Sequence, residues 1–148
     1  MLVVIDMQEE FAVSAKKVIE PCYEEILNAK RRREHIAQVE YSMCGWTYAK
    51  IDDAIAYYSK RILVTKNCNS AAANLKRAIA RRKLPIPRHF RICGVNTNWC
   101  VRATIEDLAR TYPKSKISLL SHACFDRTPH EHDLGIKSIQ RVPNVTII

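Results

Sequence analysis

The stretch from which the fold is read is His89-Phe90-Arg91-Ile92-Cys93-Gly94-Val95-Asn96-Thr97-Asn98-Trp99-Cys100-Val101-Arg102-Ala103-Thr104-Ile105-Glu106-Asp107-Leu108. Its first part, His89 to Val95, is a short apolar run with a glycine near its end, the signature of a buried strand. After Cys100 the period changes. Val101, Ile105, Leu108 and Tyr112 recur every three to four residues, which is the spacing of one helix face. Strand then helix is the repeating step of a β-α-β unit. The same alternation runs outward in both directions. Toward the N-terminus, Leu2 to Ile5 is an apolar run that stops at Asp6. Val18, Cys22, Ile26 and Ala29 then mark a helix, with Pro21 expected at its first position and Lys30 to Arg33 at its end. Ile36 to Tyr41 reads as a second strand, and Ile51, Ala54, Ile55 and Tyr58 as a second helix. Arg61 to Thr65 reads as a third strand. Ser70 can cap a third helix that carries Leu75, Ala78 and Ile79 and stops before Pro85. Toward the C-terminus, Ile117 to Leu120 is a fifth strand. Thr128-Pro129-His130-Glu131 is a capping box that opens a fifth helix, and Val145 to Ile148 is a sixth strand. Six strands alternating with five helices predict an α/β protein. The expected architecture is a three-layer αβα sandwich around a six-stranded, mostly parallel, Rossmann-like sheet, in one domain over residues 1–148.

Composition narrows the classes. Hydrophobic residues make up 47% of the 148 and charged residues 26%, which excludes disordered, collagenous and coiled-coil chains. No apolar run approaches the ~20 residues of a membrane span. Leu2 to Ile5 is too short for a signal sequence and Asp6 interrupts it, so the expected location is cytoplasmic. Lysine and arginine number 24 against 15 acids, a net charge of +9 that raises nucleic acid as a partner. The basic runs Lys30-Arg31-Arg32-Arg33 and Arg81-Arg82-Lys83, however, fall where helices should end, and cations there complement the dipole. No aromatic residue interleaves with them in sequence, so nucleic acid is disfavoured. The six cysteines show neither C-x-x-C nor zinc-finger spacing, and His35, His89 and His122 have no ligand spacing. His130 and His132 read as exposed residues of a helix start.

In a doubly wound sheet, ligands bind beyond the carboxyl ends of the strands. Three reactive residues fall there. Asp6 ends the first strand, Lys66 ends the third, and Cys100 follows the fourth in the first turn of a helix. Free N–H groups at a helix start favour a thiolate, an acid can accept the thiol proton, and an ammonium can hold the charges in place. The bland alternative is three unrelated structural residues, with Asp6 capping a turn.

The motifs around these residues resemble the isochorismatase-like cysteine hydrolases, which include nicotinamidases. Val4-Ile5-Asp6-Met7-Gln8 with Phe11 is similar to the family's opening motif. Val64-Thr65-Lys66-Asn67 with Ser70-Ala71 is similar to its lysine motif. Gly94-Val95-Asn96-Thr97-Asn98-Trp99-Cys100-Val101-Arg102-Ala103-Thr104 is similar to its nucleophile motif. The order Asp, Lys, Cys agrees, and the likeness covers essentially the whole chain. It implies an isochorismatase-like hydrolase fold and a Cys-Asp-Lys triad that cleaves the C–N bond of a small amide through a thioester. Cys100 would be the nucleophile, Asp6 the base and later the acid, and Lys66 the group that orients Asp6. A cis Val95–Asn96 bond would aim the backbone N–H of Asn96, beside that of Cys100, at the oxyanion. Phe11 and Trp46 are the expected aromatic walls, with core packing the equal alternative for Trp46. A small-molecule substrate and a homo-oligomer, dimer or tetramer, are the implied partners.

The chain also departs from the family. Metal-binding nicotinamidases carry an Asp and two His after the second strand, whereas residues 41–60 hold no histidine, so no metal and no cofactor is expected. Ala72 stands where the lysine motif has Phe, and His122-Ala123 where the fifth strand has Asp-Ala. The segment that shapes the pocket is short, which leaves the substrate open. Two other readings stand beside the amidase: a hydrolase of another small substrate such as a vinyl ether, and a degenerate member acting as a basic binding or structural protein.

Overall fold

A computed structural model describes residues 1–148. The strands are β1 (Leu2–Ile5), β2 (Ile36–Tyr41), β3 (Arg61–Lys66), β4 (His89–Val95), β5 (Lys116–Phe125) and β6 (Val145–Ile147). The helices are α1 (Ala12–Arg31), α2 (Ala49–Ala56), α3 (Ala72–Arg81), α4 (Arg102–Thr111) and α5 (Pro129–Ile139). The strands form one sheet in the order β3-β2-β1-β4-β5-β6. Every pairing is parallel, so the expected mostly parallel sheet is wholly so. Right-handed crossovers place α1 and α2 on one face, where they touch, and α3, α4 and α5 on the other.

The buried apolar residues form one continuous core. The central strands read as solid runs because both of their faces are covered. All four residues of β1 are buried, whereas the edge strand β3 alternates buried and exposed positions. The stripe Val18, Cys22, Ile26 and Ala29 is buried as its spacing predicts.

Two elements differ from the sequence reading. Pro21 lies inside α1, which starts at Ala12 rather than near residue 21. An interior proline removes one hydrogen bond and costs ~3 kcal/mol or more. The buried stripe on both sides of Pro21 supports the helix through that loss. The second difference is β5, which continues five residues past Leu120. Ile92 of β4 pairs Leu119, but Gly94 pairs Cys124, so β5 bulges between them. Ser121 and His122 fall in that bulge and break the apolar run from which the strand was read.

The chain reverses direction across the sheet between β1 and β4, and a crevice opens beyond their carboxyl ends. Gly94 lets the two strands close up there. A Cβ on it would lie 2.1 Å from the Ile5 carbonyl oxygen, and its φ of +121° suits only glycine. Each strand then turns on a left-handed residue, Asp6 at φ +54° and Asn96 at φ +62°. Side chains in this region are uncommon and cluster at functional sites.

Candidate active site

The crevice holds the three sequence-predicted groups together. A Lys66 Nζ to Asp6 Oδ2 ion pair of 2.8 Å joins two side chains with no solvent exposure. Neither Asp6 oxygen receives a well-directed hydrogen bond, so charge and confinement hold the lysine there. The ammonium also donates to the Cys68 carbonyl at 3.2 Å and lies 4.2 Å from the Tyr41 ring centroid. This cation–π contact is a third restraint on its position. The Tyr41 ring in turn meets Phe11 edge-on at 6.5 Å. Gln8 secures this side of the site. Its carboxamide accepts the Tyr41 N–H at 2.6 Å and donates to the carbonyls of Tyr41 and Gly45.

Cys100 sits in a single π-helical turn, Thr97–Val101, that leads into α4. Such turns are rare and often mark functional sites. The thiol is only 3% exposed, and it interacts with both Asp6 and Lys66. Its pKa is pushed up to about 12, first by burial and then by the Asp6 charge, with Lys66 opposing. The expectation that the helix start favours a thiolate is thereby corrected. In the resting site, loss of hydration and a neighbouring carboxylate outweigh the turn's dipole, and the neutral thiol is the stable form. Burial also raises the pKa of Asp6, while Lys66 pulls it down.

A cleft of about 340 Å³ opens over Cys100, lined by Asn69, Asn96, Trp99, Cys100 and Arg127. Asp6 and Lys66 lie behind the thiol and do not line it. The Asn69 Oδ1 stands 3.9 Å from Cys100 Sγ. Trp99 is half exposed at the cleft, whereas Phe11 and Trp46 do not line it. Trp46 is 82% exposed, so core packing does not account for it either. No peptide bond is cis, and the expected cis Val95–Asn96 bond is therefore also corrected. The left-handed Asn96 makes the turn instead. Asparagine tolerates that conformation, whereas a non-proline cis bond costs ~3–4 kcal/mol.

Residues that the sequence reading missed hold the nucleophile turn in place. Asp126, fully buried just past β5, accepts the Asn98 N–H at 2.7 Å and the Arg127 N–H at 2.8 Å. His132 Nδ1 shares a 2.9 Å hydrogen bond with Thr97 Oγ1, and its ring stacks on Phe125. It is thus a packing residue rather than an exposed one, and burial lowers its pKa. Gly135 brings α5 onto the turn, since a Cβ there would lie 2.7 Å from the Asn98 nitrogen. Thr104 Oγ1 accepts the Ala71 N–H at 3.0 Å, tying α4 to the loop after Lys66. The Ser70 hydroxyl hydrogen bonds Asp107 and lowers its pKa. Asp126 obeys the strand-end rule that singled out Asp6 and Lys66, but β5 had to be read to its true end to reveal it.

Cys22, Cys93 and Cys124 are buried thiols in the core, and Cys68 is exposed. Nowhere do three His, Cys, Asp or Glu side chains gather so as to hold a metal ion. The donor set at the cleft, one thiol with two carboxamides and a guanidinium, does not fit one.

The profile of the isochorismatase domain family matches residues 1–147. No curated protein sequence matches the chain. Solved structures with the same fold include the nicotinamidase from Staphylococcus aureus, at 16% identity and TM-score 0.84 over 99% of this chain and 94% of that one. The pyrazinamidase/nicotinamidase from Streptococcus mutans is 16% identical with TM-score 0.82, over 99% and 98%. The MAR1 ribonuclease from Caenorhabditis elegans is 17% identical with TM-score 0.83, over 99% and 74%.

Proposed function

The chain belongs to the isochorismatase family of hydrolases, and from that premise we propose that it cleaves the C–N bond of a small amide with Cys100 as nucleophile. One observation carries this reading: a fully buried Asp6–Lys66 pair stands directly behind the thiol that lines the cleft at the sheet's switch point.

The electrostatics support a defined order of events. At rest Cys100 is a thiol, and Asp6 lies beside it with its own pKa raised by burial against the opposing pull of Lys66. An amide seated in the cleft places its carbonyl carbon over the sulfur. Asp6 takes the thiol proton as the C–S bond forms, and the carbonyl electron pair moves onto oxygen. The Cys100 N–H, in the first turn of a helix and therefore without a helical partner, and Asn96 beside it stabilise that oxyanion. When the oxyanion collapses, the C–N bond breaks and the leaving nitrogen receives the proton from Asp6. A water molecule, deprotonated by Asp6, then attacks the thioester. The acid product leaves and the thiol recovers its proton. Lys66, 2.8 Å from Asp6, opposes the burial that raises the Asp6 pKa. Trp99 offers a flat wall to the substrate, in the role that Phe11 and Trp46 were expected to fill.

The test is ammonia release over a panel of small primary amides, with Cys100→Ala as control. Turnover by the wild type and none by the variant is the expected result. Equal release from both would overturn the assignment of the nucleophile.

A further inference from the structure

The end of the sheet opposite the site carries a feature that the hydrolase chemistry does not use. Every helix in this fold is a crossover that runs antiparallel to the strands, so all helix C-termini arrive at the strands' N-terminal ends. Basic residues that look like separate helix-end cations in the sequence are therefore gathered onto one face. Arg32 and Arg33 follow α1, Lys60 follows α2, and Arg82, Lys83 and Arg88 follow α3. Lys114 and Arg141 follow α4 and α5. Glu34 is the one acid in these connections, and it is already engaged by the Met1 ammonium at 3.6 Å, Arg32 at 2.8 Å and Arg91 at 3.1 Å. Lys60 and Arg82 donate only to carbonyls, of Arg33 and Arg61 respectively, and pair with no acid.

One cleft is set into this basic surface, and a second runs along the edge of the sheet toward the strands' carboxyl ends. The larger, about 440 Å³, runs between Arg33, Glu34 and His35 on one side and the Leu84–Arg88 segment on the other. The smaller, about 280 Å³, lies along the edge strand β3 and is lined by Thr65, Asn74, Arg77 and Arg81. Arg82, bonded to the backbone of β3, stands where α3 passes from one to the other. Tyr57, in the same connection as Lys60, has a fully exposed side chain. The fold thus supplies the aromatic partner that the basic runs lack in sequence. His35 and His89 report the local field. Burial lowers both pKa values, and the surrounding cations lower them further.

We propose that this face binds single-stranded nucleic acid, with the phosphates following the two arginine-lined clefts and a base stacking on Tyr57. Arginine forks match phosphate oxygens in pairs, and an exposed aromatic beside a cationic track is the pattern of sequence-tolerant binding. A membrane surface is the poorer fit, because the cations line concave clefts rather than a projecting face.

The test is the fluorescence anisotropy of a labelled oligouridine of about 15 nucleotides, titrated with the full chain between about 50 and 200 mM salt. Saturable binding that weakens with salt is expected. Arg33→Ala with Arg88→Ala should weaken it at least tenfold and make the log–log salt slope shallower by about 1.4, at ~0.7 per phosphate contact. Tyr57→Ala should weaken it roughly fivefold or more. Lys16→Ala with Lys17→Ala, an equal charge loss on exposed positions of α1, should stay within twofold. As a readout independent of these variants, the oligonucleotide should raise the His35 and His89 imidazole pKa values in the wild type. The proposal fails if no saturable binding occurs at the lowest salt, if the α1 control loses as much as the Arg33/Arg88 variant, or if the two histidines titrate unchanged. Co-sedimentation with phosphatidylserine vesicles without oligonucleotide binding would assign the face to membranes instead.

Discussion

The two ends of the sheet carry opposite electrostatics and solve opposite problems. At the carboxyl ends, Asp6, Lys66 and Cys100 are buried, and two of them are a charged pair kept away from water. At the amino ends, a larger number of charges surround one half-buried ion cluster of Met1, Glu34 and Arg91, and most of the others sit in water. The first arrangement pushes the Cys100 pKa up to about 12 and reaches only a few ångströms. The second lowers the pKa values of His35 and His89 and acts collectively over a wide surface. One fold can hold both because the strands separate them and because helix starts and helix ends lie at opposite ends of a parallel sheet.

The sharpest break of this comparison is functional. Cys100→Ala should abolish amide hydrolysis, a loss of ~10⁴-fold or more as for the loss of other covalent nucleophiles, whereas Arg33→Ala with Arg88→Ala should leave turnover intact. Steady-state ammonia release on the same amide measures both. Loss of turnover in the arginine variant would show that the two ends are coupled.

Stability sharpens it further. Lys66→Met leaves Asp6 buried without its cation, and urea unfolding should show a loss of ~3–5 kcal/mol. Pairing Lys66→Met with Asp6→Asn should recover much of that loss. Gly94→Ala forces a methyl group against Ile5 where β1 meets β4, and should destabilise by roughly 3 kcal/mol or more. Removing one of the solvated cations at the other end should stay within ~0.5 kcal/mol.

The pH behaviour separates the ends again. Cys100, with its pKa near 12, should react slowly with iodoacetamide at neutral pH and faster as the pH rises. Asp6→Asn removes a negative charge that raises this pKa and keeps Lys66, which lowers it. The variant should therefore alkylate several-fold faster at a given pH while losing turnover. Slower alkylation would overturn the resting thiol–carboxylate assignment. The smallest expected effect lies at the other end. His35 and His89 should titrate below the usual ~6.5. Added salt should raise both values slightly by screening the cations, as proton NMR would show.

The spacing of apolar residues showed most of the fold directly. Strands β1, β2, β3 and β4 begin and end within a residue of the positions read from sequence, because each is a short β-prone stretch, solidly apolar in β1 and alternating in the edge strand β3. The misreadings have a common cause. Pro21 breaks a local rule that the packing of α1 overrides, and the β5 bulge hides five residues of strand behind Ser121 and His122. The candidate site was legible to the same extent. Asp6, Lys66 and Cys100 stand out because strand ends and motif order single them out. Asp126 and His132 do not, because their partners Asn98 and Thr97 are about 30 residues away and meet them only when α5 docks on the π-helical turn.

The sequence by itself determined the order of the elements, the identity of the reactive groups and the total charge, since each depends on residue type and local spacing. Tertiary structure alone decided the protonation state of Cys100, because burial and the distance to Asp6 are properties of packing. It also decided the left-handed turn that replaces a cis bond. And it decided where the charge lies: five helix ends far apart in sequence become one basic face because every crossover in a parallel sheet must return the chain to the same side.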